Sequence, residues 1–134
     1  MISKQISFKK EKYYNILETI RNLSKIKGYI LNESKYGSKY IFTIYDRKYE
    51  SGMFINMAET FLGNYILPER IMLTVKVFQT DKKINVDIRG DVVMRNWNLI
   101  NDKPKRRDFI RCVTILEDFV KQLNNLKNSH EKYV

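Results

Sequence analysis

The chain offers few side chains able to do covalent or acid–base chemistry, and the position of each one argues against it. His130 is the only histidine and stands in the C-terminal stretch NSHEKYV, which is expected to fray. General-base chemistry by imidazole and histidine-rich metal sites are therefore not expected. Cys112, the only cysteine, can form no intramolecular disulfide and gives no thiolate set for zinc. With no base beside it in the sequence, it reads as a packing residue rather than a nucleophile. Asp87 and Asp91 lie four apart with Arg89 between them, a spacing that puts both carboxylates on one face of a strand. Paired carboxylates can run acid–base or metal chemistry, but the hairpin register given below sets Lys76 opposite Asp87, and a solvated sheet face is the expectation. The five glycines are scattered and form no phosphate loop. The sequence thus points to a non-enzymatic protein with no catalytic residue, metal or cofactor.

Binding chemistry is better represented. In NDKPKRRDFIRC, residues 101–112, five cations (Lys103, Lys105, Arg106, Arg107 and Arg111) fall within nine positions. If Pro104 lies in the first turn of a helix, these cations crowd a helix N-terminus, where each is unfavourable by about 0.3–1 kcal/mol. A phosphate there would meet free backbone N–H groups and arginine forks together. Arg107 and Arg111 are then expected to project from the polar face with Thr114 and Asp118, Arg106 to flank the apolar side, and Asp108 to offset one of the five charges. KPKRR also has the general form of a short basic localisation signal, a match that is frequent by chance.

Lysines and tyrosines interleave in KKEKYY (9–14), KYGSKY (35–40) and YDRKY (45–49). Lysines can contact phosphates while tyrosines stack on bases, which is the chemistry of single-stranded nucleic-acid binding. Tyrosine is also a strand former and lysine an edge-strand protector, which accounts for the same pattern without a ligand. The candidate anion-binding set is Lys9, Lys10, Lys12, Lys103, Lys105, Arg106, Arg107 and Arg111, with nucleic acid or another polyanion as the expected partner.

Net charge alone is weaker support. The chain carries 25 basic and 15 acidic residues, +10, but Lys, Asn, Ile, Tyr and Phe make up 61 of its 134 residues, a bias that AT-rich coding produces. The eight arginines are the more selective signal, and three of them fall at 106, 107 and 111. Residues 1–51 carry +6, 52–101 carry +1 and 102–134 carry +3, so the excess sits in the terminal segments.

Positioning these groups requires elements that the apolar spacing supplies. Tyr13, Ile16, Leu17, Ile20, Leu23 and Ile26 recur at three and four, predicting an amphipathic helix over 8–27 with Ser7 as cap and Gly28 as stop. From Gly28 to Glu50 the period shortens to two, with SKYGSK (34–39) as the turn between two strands. A second hairpin turns at Asp81–Lys82, which pairs Val77 with Val86, Val75 with Ile88 and Lys76 with Asp87. Phe109, Ile110, Val113, Leu116, Phe119, Val120, Leu123 and Leu126 predict the apolar face of a last helix.

Between the hairpins, Gly52 to Glu69 is apolar nearly all round and fits either a helix or a buried strand followed by a short helix or loop, ending at Pro68. Its Phe54, Met57, Phe61, Leu62 and Tyr65 are candidates to touch an apolar small molecule or a protein partner. The expected fold is a single α+β domain, an antiparallel sheet of about five strands with N- and C-terminal helices in a two-layer sandwich. No stretch reaches signal-peptide or membrane-span length, so a soluble cytoplasmic protein is expected.

ERIMLTVKVFQTDKKINVDIRG leading into KRRDFIRCVTILEDFVKQL resembles the helix-grip, START-like domains, in which a curved antiparallel sheet wraps a long C-terminal helix. The resemblance covers the second half of the chain; the first half departs from it, because that family often opens with a strand and a helix is expected here. It implies a habit of enclosing an apolar ligand, and no site residue is carried over from it. Three functions follow: a binding module for an anionic partner, a carrier or sensor of an apolar ligand between sheet and last helix, or a subunit of a larger assembly.

Overall fold

A computed structural model describes residues 2–46, 71–92 and 106–128. Among them the order is β1 (Ile2–Lys9), a 3-10 turn (Lys10–Lys12), α1 (Tyr13–Lys27), β2 (Ile30–Tyr36), β3 (Lys39–Asp46), β4 (Ile71–Gln79), β5 (Lys83–Val92) and α2 (Arg106–Asn128). The five strands form one antiparallel sheet in the order β1-β5-β4-β3-β2. The chain is an α+β protein, as its alternating and helical periods require.

Register follows from the patterning. Val77 pairs with Val86, Val75 with Ile88 and Lys76 with Asp87, as the alternation of β4 and β5 demands. Thr80 closes that hairpin, its amide and hydroxyl both donating to the Lys83 carbonyl. In the other hairpin Gly37, at φ +60°, and Ser38 form the two-residue turn; glycine at the first central position with φ above zero is what a tight turn of the II′ kind needs.

One sheet face carries the core. Phe42 and Ile44 from β3, Leu73, Val75 and Val77 from β4, and Ile84, Val86 and Ile88 from β5 are fully or almost fully buried, and each such side chain stabilises the fold by about 1.5–3 kcal/mol relative to exposure. Ile16, Leu17, Ile20 and Leu23 of α1 and Ile115, Leu116, Phe119 and Leu123 of α2 join the same cluster. Both described helices therefore cover this face.

Three expectations are corrected. The helix begins at Tyr13, not at residue 8: Ile6 and Phe8 alternate, point to the core and pair with Val86 and Ile84, so residues 2–9 become an edge strand. Ser7 accordingly caps no helix and donates to Asn85 Oδ1 at 3.0 Å. On α1, Ile26 is exposed, because six residues beyond Ile20 places it about 120° off the buried stripe. On α2 the buried stripe is Asp108, Cys112, Ile115, Leu116, Phe119 and Leu123, while Phe109 and Ile110 are exposed. The cause lies at Gly90 of β5, where a Cβ would come within 2.8 Å of Cys112 Sγ. A missing side chain on the strand lets the helix approach through its small residue.

Residues 47–70, 93–105 and 129–134 lie outside the described residues, and with them Phe54, Met57, Phe61, Leu62, Tyr65, Lys103, Lys105 and His130.

Candidate functional site

The sheet has a turn end, where β1, β2 and β4 finish, and a far end, where β3 finishes and β4 starts. Basic residues gather at both. At the turn end, two of the Lys/Tyr segments meet although more than twenty residues separate them in sequence. Lys10, Tyr13 and Tyr14 at the start of α1 and Lys35, Gly37 and Ser38 around the β2–β3 turn line one open groove of about 740 Å³. Glu11 is the one acidic group in that lining.

Tyr13 and Tyr14 meet edge to face, with ring centroids 5.6 Å apart. Tyr14 is 77% and Tyr36 65% exposed, so two large aromatic rings stand in water beside lysines. The β1–β5 register also sets Lys9 directly opposite Lys83, both exposed, a like-charge pair that is destabilising on its own. Among the described residues no carboxylate pairs with Lys9, Lys10, Lys35, Lys39 or Lys83. The Lys39 ammonium instead lies 4.8 Å from the centre of the Phe78 ring.

The far end is different. Arg111 Nε donates to Asp46 Oδ2 at 3.1 Å, and the Asp46 side chain is 1% exposed against 36% for Arg111. Arg111 thus does not project freely from the helix, as the sequence suggests; a buried carboxylate at the end of β3 holds its guanidinium. Among the described residues Asp46 Oδ1 accepts no hydrogen bond. Tyr29 is nearby, its phenol pushed up by burial, with Arg111 pulling it down and Asp46 pushing it further up. Its ring lies 6.2 Å from that of Phe119.

A third charged cluster fastens α1 to the first hairpin. Arg21 donates to both carboxylate oxygens of Glu33, to Glu18 Oε1 and to Tyr40 Oη, while the Tyr40 hydroxyl donates to Glu33 Oε1. Hydrogen bonds from Arg21, and then from Tyr40, outweigh partial burial and hold the Glu33 carboxyl below its ordinary value. The Tyr40 phenol is raised, first by Glu33 and then by burial. Every polar group in this cluster has a partner, so it acts as a clasp.

The candidate anion-binding residues are therefore split. Lys9 and Lys10 are exposed at the turn end, but Lys12, at the N-cap position of α1 with no side-chain cap bond, is only 7% exposed and does not face solvent with its neighbours. Arg106 is exposed in the first turn of α2; Lys103, Lys105 and the side chain of Arg107 are outside the described residues. Lys83 and Val92 stand at the two ends of β5, and Val92 joins through Ile71 to Asp46, so the two basic ends are about 30 Å apart. Among the described residues they do not merge into one patch.

The remaining sequence candidates have simpler surroundings. Cys112 is buried, and burial, helped by Asp91, pushes its thiol up, away from thiolate chemistry. Asp87 pairs across strands with Lys76 and Gln5, and Asp91 with Met72, all on the face opposite the helices. Among the described residues no three of His, Cys, Asp and Glu are grouped to hold a metal, and no helix is long and apolar enough to cross a membrane. Sequence reasoning flags the KKEKYY and KYGSKY segments, and with them Tyr14, Lys35, Tyr36 and Lys39, without joining the two, and it gives no role to Lys83. The signal that could have joined them was the pairing of a turn at 37–38 with a helix start near 13. Compared with protein-family models, with curated proteins and with solved structures, the chain matches none.

Proposed function

We propose that this chain is a cytoplasmic, non-enzymatic binding module that engages nucleic acid through the lysine-rich turn end of its sheet. The observation that carries this reading is the meeting of residues 10–14 and 35–38 around one groove, with exposed tyrosines and lysines that no described carboxylate pairs with. A polyanion supplies the missing counter-charge, and the aromatic rings suit its bases. The resemblance to helix-grip domains implies an apolar ligand enclosed between the sheet and the last helix and brings none to this open groove.

The test is affinity against salt, read by fluorescence anisotropy of labelled oligonucleotides. Engagement of about four phosphates gives a log–log slope of about −3.6 on duplex DNA and about −2.8 on a single strand. Absence of DNA and RNA binding even at low salt overturns the proposal.

One observation favours a second reading, a subunit of a larger assembly. Arg106, Phe109, Ile110, Val113 and Thr114 line a shallow, almost wholly apolar depression of about 380 Å³ on α2. Phe109 is 46% and Ile110 56% exposed there. A stable oligomer in sedimentation that Ile110→Asp dissociates supports that reading, and a strict monomer removes it.

A further inference from the structure

The groove and the sheet face behind it are separated only by the β2–β3 turn. Lys35 lies on the helix-covered side, since it pairs with Tyr40 in the row next to that of Glu33 and Phe42; Tyr36 pairs with Lys39 on the opposite side. That second side continues across the sheet as Tyr36, Lys39, Phe78, Asn85 and Ser7, one residue from each strand. Between the two sides stand only Gly37 and Ser38, and around Gly37 there is open space where a side chain would be.

Resting on the nucleic-acid reading above, we infer that the bound polynucleotide is single-stranded and crosses the Gly37–Ser38 turn, with one base on Tyr14 in the groove and another on Tyr36 on the outer face. Three features carry this. Tyr14 and Tyr36 are the most exposed tyrosines among the large exposed side chains, and they flank the turn. Each has lysines beside it, Lys10 and Lys35 on the groove side and Lys39 outside, so phosphates can follow the rings over the turn. The exposed groups are flat rings and ammonium ions, which suit unstacked bases and a flexible backbone; a duplex keeps its base faces stacked and out of reach. The sugar is not specified by these groups, so ribo- and deoxyribo-strands share the chemistry.

The experiment compares the full chain with Tyr14→Ala, Tyr36→Ala and the corresponding Phe variants. Probes are single-stranded DNA, single-stranded RNA and a duplex of the same sequence, each of about ten nucleotides. Both tyrosines are exposed, and circular dichroism checks that each variant keeps its fold. Single strands are expected to bind more tightly than duplex, and each Ala variant to weaken them about fivefold to a hundredfold. Phe variants should retain binding, and the salt slope should stay the same for all four. Lys10→Ala with Lys35→Ala is expected to reduce the single-strand slope by about 1.4. A preference for RNA or for DNA identifies the source of the strand and supports the inference equally. Equal binding of duplex and single strand, or loss at Tyr14 with none at Tyr36, overturns the crossing path while leaving the binding module intact. No binding to any probe overturns the module itself.

Discussion

The two ends of the sheet both carry basic side chains, yet their chemistry differs. At the far end a guanidinium meets a carboxylate that has left water almost completely, and the pair joins α2 to β3. At the turn end, ammonium groups face one another and exposed tyrosines, with no described carboxylate among their partners. The same formal charge is structural in one place and available in the other. The difference teaches that a count of cations says little until their partners are known, and that arginine, with its planar fork, is the one drawn into fixed pairs.

The sharpest way to break this comparison is at the far end. Arg111→Ala leaves Asp46 buried without its cation and is expected to destabilise the fold by about 3 kcal/mol, measured by urea denaturation, with little change in nucleic-acid affinity. A stable Arg111→Ala protein that binds nucleic acid poorly would reverse the assignment of the two ends.

Between the ends, Gly90→Ala forces a methyl group against Cys112 Sγ. A loss of about 1–3 kcal/mol in thermal or chemical denaturation is expected, with part of it recovered when Cys112→Ala is added. Full additivity of the two changes would mean that α2 does not approach β5 as described.

The Arg21 clasp gives a smaller effect and a pH signature. Glu33→Gln is expected to cost about 1 kcal/mol, since the cluster is partly exposed. Because the folded Glu33 carboxyl lies below its ordinary value, its contribution is complete above that value and fades as pH falls through the lowered one. Stability curves of the parent chain and Glu33→Gln should therefore converge in acid and separate near neutrality; parallel curves would show that the clasp contributes no linked protonation.

The smallest effect on stability belongs to the turn end. Lys10→Ala with Lys35→Ala should move the unfolding free energy by no more than about 0.5 kcal/mol. A larger loss of stability would place these lysines with Arg111 as structural cations and dissolve the contrast.

Much of this architecture is legible in the sequence. The β4–β5 register followed from Val75, Val77, Val86 and Ile88, because a slip of one residue would turn all four out of the core. Gly28, with φ 74°, stops α1 by a local rule: its amide and that of Tyr29 reach back to Lys25 and Ser24. Residues 2–9 do not show as a strand in the sequence, because an edge strand with one apolar face shows only Ile6 and Phe8 as its signal, and a strong helix follows directly. The buried stripe of α2 was also rotated from expectation, since the period places apolar residues on a helix without saying which side meets a strand.

Local periodicity thus determined the two helices, the two hairpins and the fold class, since those depend on neighbours in sequence, but not β1 or its pairing with β5. Tertiary structure alone decided that Arg111 is held by Asp46, 65 residues away, and that the lysines of 9–12 and 35–39 belong to one end of the molecule. Those facts depend on which strand ends the five-stranded sheet brings together. Charge is written residue by residue, but whether it faces water, a carboxylate or another cation is set by contacts that no local pattern encodes.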